Sequence, residues 1–362
     1  MDTMRMRLGI VGAGRIVERA HLPVLAAMPD VHVAGLFDPD MERARELAQR
    51  FEIPNTCRSL DELLNLTLDA VLIACPNHLH AATSIAALEA GAHVLCEKPM
   101  ATNSADAQAM AAACERHGRE LMIGFTNRFR PEVVALEEAV RAGRLGTITG
   151  IRCGWLRRAG IPGIGTWFTD AGRSGGGALV DLGSHMVGLA VWLGGKHAIV
   201  TASCVTQTAY GDSESAGWYR SADTGPGRCD VETGASGFVV LDGPLDLFVE
   251  VSWACAVPHD RTYLHVIGKR GVAKLETVFG FSPQGERPDY PLQMWLDGAS
   301  KPEQAAGSTD LLQPYRDQWR CFLNGIQNGR SLRAWLQEDL AGVQVIEAMY
   351  RAAKQVAETN DR

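Results

Sequence analysis

The first third of the chain alternates short apolar runs with amphipathic stretches. The apolar runs are Leu8–Val11, Val31–Phe37, Ala70–Ala74, His93–Cys96 and Leu121–Gly124, and helical patterns fill Ile16–Met28, Met41–Phe51, Ala81–Ala90 and Asn103–His117. Strands and helices that alternate at this spacing predict a parallel sheet with helices on both faces. We therefore predict an α/β domain over residues 1–125.

The pattern changes after about residue 125. A helical stretch (Pro131–Ala142) leads to a strand-like run (Ile148–Trp155), a glycine-rich segment (Gly160–Gly177) and a second helical run (Leu182–Leu193). From Ile199 to Trp295 the patterns are strand-like without intervening helices, and Gln337–Ala357 is amphipathic and helical. This predicts an α+β domain over residues 126–362 with a large, mostly antiparallel open sheet. Its C-terminal helix is a candidate to pack back on the first domain.

Composition and charge argue against several classes of protein. The chain has 362 residues, and its net charge of -7 argues against nucleic-acid or membrane-surface binding, which needs clustered positive charge. The longest apolar run, Ala178–Gly195, is interrupted by Asp181 and His185, so we expect no membrane span. The nine cysteines include no C-x-x-C pair and several lie in apolar runs, which favours a reducing compartment. We expect a cytoplasmic protein.

The first strand runs directly into a glycine motif. Gly12 and Gly14 are followed by Arg15 and Ile16, at the start of a helical pattern. A strand, a G-x-G turn and a helix start form the dinucleotide fingerprint, in which Gly12 allows the tight turn and Gly14 lets a pyrophosphate approach the backbone. These residues predict a dinucleotide site.

The second strand ends at Asp38, 24 residues after Gly14. A carboxylate there is expected to accept hydrogen bonds from the adenosine ribose hydroxyls. It favours NAD over NADP, because it would repel a 2′-phosphate, although Arg15 and Arg43 partly offset that repulsion. NADP therefore stays possible.

Two further polar segments follow strands of the same sheet. Cys75, Pro76, Asn77 and His80 come after the third apolar run, and we consider them candidates to line the nicotinamide half of the cofactor. The alternative is that Asn77 caps a helix and His80 packs in the core. Glu97-Lys98-Pro99 ends the next run. Here Glu97 is a candidate for the ribose hydroxyls and Lys98 for a substrate hydroxyl; the alternative is a structural ion pair.

Further candidate functional residues lie later in the chain, in the segment Ser174–His185. Asp181 and His185 are four residues apart, which predicts that they share one face of a helix start. The glycines before them would let the chain pass closely over a flat ligand. No third ligand stands at a diagnostic spacing, so we predict no metal. Arg157 and Trp167 are candidates for the substrate pocket, because aromatic faces and arginines suit polyhydroxylated rings; the alternative places Trp167 in the core and Arg157 at the surface. Arg128 is a candidate to contact the substrate or, alternatively, to order its loop.

Over nearly its full length the chain resembles the glucose-fructose oxidoreductase / inositol dehydrogenase / MocA (Gfo/Idh/MocA) family. The matching residues are Gly12-Ala13-Gly14, Pro76-Asn77 with His80, Glu97-Lys98-Pro99, Gly124-Phe125 with Arg128-Phe129 and Pro131, and Asp181 with Gly183 and His185. The resemblance implies a Rossmann domain, NAD(P)-dependent redox chemistry on sugars, polyols or cyclitols, and a homodimer or homotetramer formed through the open sheet. By position it makes Lys98, Asp181 and His185 the catalytic group. One departure is Gly188, where family members often carry an acidic residue.

These residues suggest a mechanism for oxidising a secondary alcohol. Lys98 would stabilise the developing alkoxide, His185 would remove the hydroxyl proton, and Asp181 would position the substrate. Lys98 and His185 could exchange roles, and the sequence does not rank the two assignments. Two alternative functions stay open: an NAD-dependent glycosidase that works through transient oxidation, and a non-catalytic NAD(P)-sensing regulator.

Overall fold

A computed structural model describes residues 5–195, 198–208, 229–243, 245–282, 285, 287–329 and 331–360. The chain divides into two compact units: the first comprises Met1–Thr126 with Tyr315–Gln337, and the second Asn127–Pro314 with Glu338–Arg362. Residues 315–337 therefore do not belong to the second domain predicted over residues 126–362. They join the first unit because their helix buries Trp319 and Phe322 completely in it.

The first unit contains a six-stranded parallel sheet. Its strands are β1 (Met6–Val11), β2 (Val31–Phe37), β3 (Thr56–Cys57), β4 (Ala70–Ile73), β5 (His93–Glu97) and β6 (Leu121–Gly124), in the order β3-β2-β1-β4-β5-β6. The predicted α/β fold is confirmed. The strand order reverses direction between β1 and β4, and ligands of such sheets bind at the carboxyl ends beside that point.

Helices cover this sheet. They are α1 (Leu22–Ala26), α2 (Met41–Arg50), α3 (Leu60–Leu64), α4 (His80–Glu89), α5 (Ser104–His117) and, from the C-terminal part, α10 (Gln313–Gln327). Asp40 and Asn103 cap α2 and α5 by accepting the N–H groups of Arg43 and Asp106. The predicted helix over Ile16–Met28 is helical as far as Ala26, with a π-helical turn (Val17–His21) directly before α1.

The second unit contains an eight-stranded mixed sheet. Its strands are β7 (Ile148–Leu156), β8 (Ile199–Gln207), β9 (Gly234–Leu241), β10 (Leu245–Ser252), β11 (Arg261–Gly268), β12 (Gly271–Thr277), β13 (Leu292–Leu296) and β14 (Glu303–Ala305). The order is β14-β13-β12-β11-β7-β10-β9-β8. Among the described strands of this second sheet, only β7 and β10 pair in parallel. The predicted large, mostly antiparallel sheet is confirmed.

The helices of the second unit are α6 (Pro131–Arg141), α7 (Ala171–Ser174), α8 (Ala178–Asp181), α9 (Gly183–Gly194) and α11 (Arg333–Asn360), although α11 begins within the first unit. Helix α9 packs on β7 and β10, so alternate strand residues such as Ile151 and Leu247 form the core. Within the described ranges no single helix has the length and apolarity to cross a membrane; α7–α9, bent by 56°, meets that length and composition test only as a broken pair.

Candidate active site

The glycine turn after β1 leaves room for a dinucleotide. Gly12 has φ +105°, and a Cβ atom there would lie 2.3 Å from the carbonyl oxygen of Ala74. A Cβ on Gly14 would meet no atom within 4 Å, so the backbone at this exposed residue is open to a ligand. Arg15 and Ile16 are half-buried beside it. A pyrophosphate therefore fits this turn on steric grounds.

Asp38 is held at the end of β2 by two backbone N–H groups. Its Oδ2 accepts from Ala13 N at 2.6 Å, and its Oδ1 accepts from Asp40 N at 2.8 Å. Carboxylate oxygens keep further lone pairs after such bonds, so the predicted acceptance of ribose hydroxyls stays available. Arg43 is engaged by Glu18 and Glu46, which reduces the offset expected from it for a 2′-phosphate.

The segment after β4 differs from the expectation. His80 is fully buried, with Nδ1 2.7 Å from the carbonyl oxygen of Pro99 and Nε2 2.9 Å from that of Cys75. Burial lowers the pKa of His80, and the two carbonyls oppose that shift. His80 therefore joins two turns of the backbone instead of facing a cofactor. The burial of His80 agrees with the alternative that it packs in the core. Asn77 is the first residue of a short 3₁₀ turn, and the N-cap residues of this turn and of α4 are Pro76 and Leu79.

Glu97 ends β5, and a buried histidine holds it. Glu97 Oε1 lies 2.8 Å from His21 Nε2, and His21 is fully buried. The other carboxylate oxygen lies 3.3 Å from the backbone N of Lys98. Lys98 itself is half-buried, and the Lys98–Pro99 peptide bond is cis.

In the second unit, Asp181 and His185 lie on two short helices. Helix α8 ends at Asp181 and α9 begins at Gly183, so the chain bends between the two side chains instead of carrying them on one continuous helix. Glu232 fixes the start of α8, because its carboxylate accepts from Gly177 N at 3.0 Å and Leu179 N at 2.9 Å. Burial raises the pKa of Glu232, and these bonds oppose the shift.

The glycines before Asp181 serve the protein's own packing. A Cβ on Gly177 would lie 1.8 Å from the carbonyl oxygen of Glu232, and one on Gly176 would lie 2.0 Å from the hydroxyl of Tyr350. Tyr350 donates to Glu232 at 2.8 Å. The expected close approach is therefore to other parts of the protein, and a ligand is not needed to explain it.

Asp181 and His185 each have a side-chain partner that the motifs did not indicate. The indole N–H of Trp253 donates to Asp181 Oδ2 at 2.9 Å. Asn127 Nδ2 lies 3.3 Å from His185 Nδ1, and the ring of Trp155 lies 5.4 Å from the imidazole. The Cα of Gly188 lies 3.8 Å from the position that a Cβ on Gly342 would take, so a small residue here suits the approach of α9 and α11.

The three further substrate candidates fall in different surroundings. Arg157 is half-buried, its guanidinium lies 5.2 Å from the Trp155 ring, and it is attracted by Asp181 and Asp260. Burial lowers the pKa of Arg157 and the two carboxylates oppose the shift. Trp167 is half-buried and stacks on Phe168 at 3.8 Å. It is therefore not a core residue.

Arg128 is buried in an ion pair. Its Nη2 lies 2.6 Å from Asp339 Oδ1, and both side chains are at most 2% exposed. The guanidinium also lies 5.6 Å from the ring of Trp192. These contacts favour the alternative that Arg128 orders its own loop over a contact with the substrate.

No group of three or more His, Cys, Asp or Glu side chains in the described ranges has metal-binding geometry. The sequence analysis missed the side chains that orient the site: His21, Trp319, Asn127, Glu232 and Trp253. His21 gave a weak signal as a histidine between Ala20 and Leu22, at the start of an apolar stretch that follows the fingerprint. The others are distant in sequence from the groups they contact, so no local pattern marks them.

Comparison with known proteins identifies the family. Residues 6–125 match the Gfo/Idh/MocA oxidoreductase family with the NAD-binding Rossmann fold, and residues 133–274 match the Gfo/Idh/MocA C-terminal domain. The chain therefore belongs to the Gfo/Idh/MocA family of NAD-binding oxidoreductases. The predicted enzyme class and cofactor are confirmed at this level.

Individual relatives are similar over most of their length. A putative UDP-kanosamine synthase oxidoreductase subunit from Amycolatopsis mediterranei is 35% identical over 82% of each chain. D-glucoside 3-dehydrogenase from Escherichia coli is 30% identical over 70% of this chain and 72% of its own. Among solved structures, GenD2 from gentamicin A biosynthesis, in complex with NAD, is 26% identical, with a TM-score of 0.77 over 97% of this chain and 94% of its own.

Proposed function

We propose that this protein is an NAD-dependent dehydrogenase that oxidises a ring hydroxyl of a sugar or glycoside. The observation that carries the proposal is the arrangement in the second unit, where Asp181 and His185 are both oriented by partners and aromatic rings stand close by. Polar groups beside aromatic faces suit the alternating C–H and O–H surfaces of a sugar ring. The relative named as a D-glucoside 3-dehydrogenase makes the C3 hydroxyl of a hexose ring the first candidate.

Charge near Arg157 favours a neutral or amine-bearing ring. Arg157 is attracted by two carboxylates, Asp181 and Asp260, so the three groups together carry a net negative charge when ionised. A phosphate or carboxylate on the ring would be repelled there. This favours simple hexosides, aminosugars and aminocyclitols over sugar phosphates and uronates as substrates.

The proton chemistry follows from the residue types. When bound, NAD would supply the acceptor for the hydride that leaves the carbinol carbon of the substrate. Lys98 donates a hydrogen bond to the reacting oxygen and stabilises its developing negative charge, while His185 takes the hydroxyl proton and Asp181 binds a neighbouring hydroxyl. If Lys98 and His185 exchange these roles, the products are the same. The kinetics of variants at the two positions would distinguish the two assignments.

We also propose that a second copy of the chain covers the outer face of the eight-stranded sheet. On that face Phe238 lies directly opposite Phe248, and Phe238 is 40% exposed. Exposed aromatic side chains beside polar neighbours are typical of subunit interfaces. A dimer or tetramer would bury them.

A spectrophotometric screen tests the function. Reduction of NAD and NADP is followed with glucose, methyl glucoside, glucosamine, inositols and an aminocyclitol, against glucose 6-phosphate and glucuronate as charged controls. We expect NADH with neutral or amine-bearing rings and a 3-keto product. Cleavage of an aryl glucoside without net NADH would replace this proposal with the glycosidase, and tight NAD binding without turnover on any ring would replace it with the sensor.

A further inference from the structure

Two fully buried side chains form a hydrogen-bonded chain to Glu97. The indole Nε1 of Trp319, on α10, lies 3.0 Å from His21 Nδ1, and His21 Nε2 lies 2.8 Å from Glu97 Oε1. His21 and Trp319 are each 0% exposed, and all three residues belong to the first unit. No sequence motif described above includes His21 or Trp319.

The chemistry of the three side chains decides which atom donates and which accepts in these two hydrogen bonds. An indole N–H only donates, so His21 Nδ1 accepts. A neutral imidazole then carries its single proton on Nε2, and this N–H donates to the carboxylate of Glu97. Trp319 thereby selects the tautomer of His21 that can hold Glu97.

The surrounding residues leave the side chains of His21 and Glu97 little conformational freedom. The rings of Tyr315 and Trp319 meet the His21 ring edge-on at centroid distances of 5.5 and 5.8 Å. A Cβ on Gly124 would lie 3.2 Å from the carboxyl carbon of Glu97, so the glycine provides the space that the carboxylate occupies. The Glu97 side chain is 12% exposed, and only this small part of it faces solvent.

We propose that His21 and Trp319 are positioning residues that orient Glu97 to accept a ribose hydroxyl of the dinucleotide. The inference rests on the proposed function only in taking the cofactor as the ligand of Glu97. A carboxylate that is already oriented loses little side-chain freedom when it binds, so its hydrogen bond contributes more affinity. Lys98, the lysine of the proposed mechanism, follows Glu97 directly in the sequence, and its backbone N lies 3.3 Å from Glu97 Oε2.

The tautomer is measured first, in the intact protein without cofactor. Long-range ¹H–¹⁵N spectra of protein labelled at histidine nitrogens distinguish a proton on Nε2 from one on Nδ1. We expect His21, assigned through a His21→Gln variant, to be neutral with its proton on Nε2. A proton on Nδ1 would overturn the inference.

Cofactor affinity is measured next, by titration with NADH and without substrate. Trp319→Phe removes the donor but keeps an aromatic ring, and we expect it to weaken NADH binding about tenfold, the equivalent of 1.4 kcal/mol. His21→Gln retains one acceptor and one donor on its amide, so we expect affinity within about threefold of the wild type. Trp335→Phe, the same change at a half-buried site on α11, is the matched control and should bind as the wild type does.

The two variants separate positioning from a loss of folding. Thermal unfolding of each variant shows whether the first unit stays intact, and a destabilised but folded Trp319→Phe protein with unchanged NADH affinity would overturn the inference. Loss of binding in His21→Gln equal to that in His21→Leu would overturn it too, because then the hydrogen bonds are not what matters. A protein that binds NADH but oxidises no sugar contradicts the proposed substrate, while the affinity ratios still decide this inference.

Discussion

Gly12 and Gly14 stand in one turn, but the structure constrains them for different reasons. At Gly12 both the backbone angle and the carbonyl of Ala74 exclude a side chain. At Gly14 the surrounding protein leaves space for a Cβ, so its absence matters only to a ligand. The fingerprint pattern predicted both roles from residue type alone, and only the packing shows which role belongs to the fold.

Alanine substitutions separate these two roles. We expect Gly12→Ala to lower the free energy of unfolding by about 2 kcal/mol or more, because it adds backbone strain to a clash. Gly14→Ala should change it by less than about 0.5 kcal/mol but weaken NAD binding roughly tenfold or more. Urea denaturation and NADH titration measure the two effects. Equal NADH affinity in Gly14→Ala and the wild type would contradict the pyrophosphate assignment.

Lys98 is the residue on which the proposed chemistry depends most. We expect Lys98→Ala to lower kcat by about 10²–10⁴ and to leave the Kd for NAD largely unchanged, because the lysine acts on the reacting oxygen. Lys354→Ala, at an exposed position on α11, is the control for removing a lysine charge. Initial rates and NADH titration test this, and near-wild-type turnover by Lys98→Ala would rule out the assigned role.

At the scale of elements, the charged groups around Glu338, near the start of α11, couple folding to pH. Burial raises the pKa of Glu338 to about 7 and that of Asp339 to about 6, and Arg128 opposes both shifts. Arg141 also lowers the pKa of Glu338, and Glu137 raises it. Because the folded pKa of Glu338 is above its value of 4.5 in the unfolded chain, folding takes up a proton between these two pH values.

The sign of the pH effect follows from this proton uptake. The contribution of Glu338 to stability is fully present below about pH 4.5 and is lost as pH rises through about 7. We expect the free energy of unfolding of the wild type, relative to Glu338→Gln, to fall across this range and to level off above it. Urea denaturation at several pH values tests the prediction, and a difference that is independent of pH would contradict it.

Two helical regions differ from what the sequence patterns predicted. The i, i+4 spacing of Asp181 and His185 predicted one face of a helix start, but a break at Leu182 separates α8, whose start Glu232 holds, from α9. Helix α10 belongs mostly to the first unit, where Trp319 is buried, although in the sequence it follows β14, the last strand of the second unit. Both outcomes depend on contacts between residues far apart in the sequence, which periodicity does not encode.

At the scale of the whole molecule, the outer face of the eight-stranded sheet is the expected site of self-association. Phe238→Asp places a charge opposite Phe248, and we expect it to shift a dimer or tetramer toward monomer. Light scattering after gel filtration measures the change. Tyr290→Asp, an equally drastic change at a 53% exposed residue outside the strands, should leave the mass unchanged. A wild-type protein that is monomeric at every concentration would contradict the proposal.

The sequence by itself determined the α/β class, the dinucleotide turn and the family, because strand periodicity and short motifs are local properties of the chain. It also placed Asp38, Glu97 and Lys98 at the ends of strands, where a parallel sheet gathers them at one edge. Only the tertiary structure decided which polar residues are free to face a ligand. It buried His80 between two carbonyls and Arg128 against Asp339, and it supplied His21, Asn127 and Trp253 as partners. Burial and hydrogen-bond partners arise from residues that are distant in the chain, so the fold must be known before a motif residue can be assigned its role.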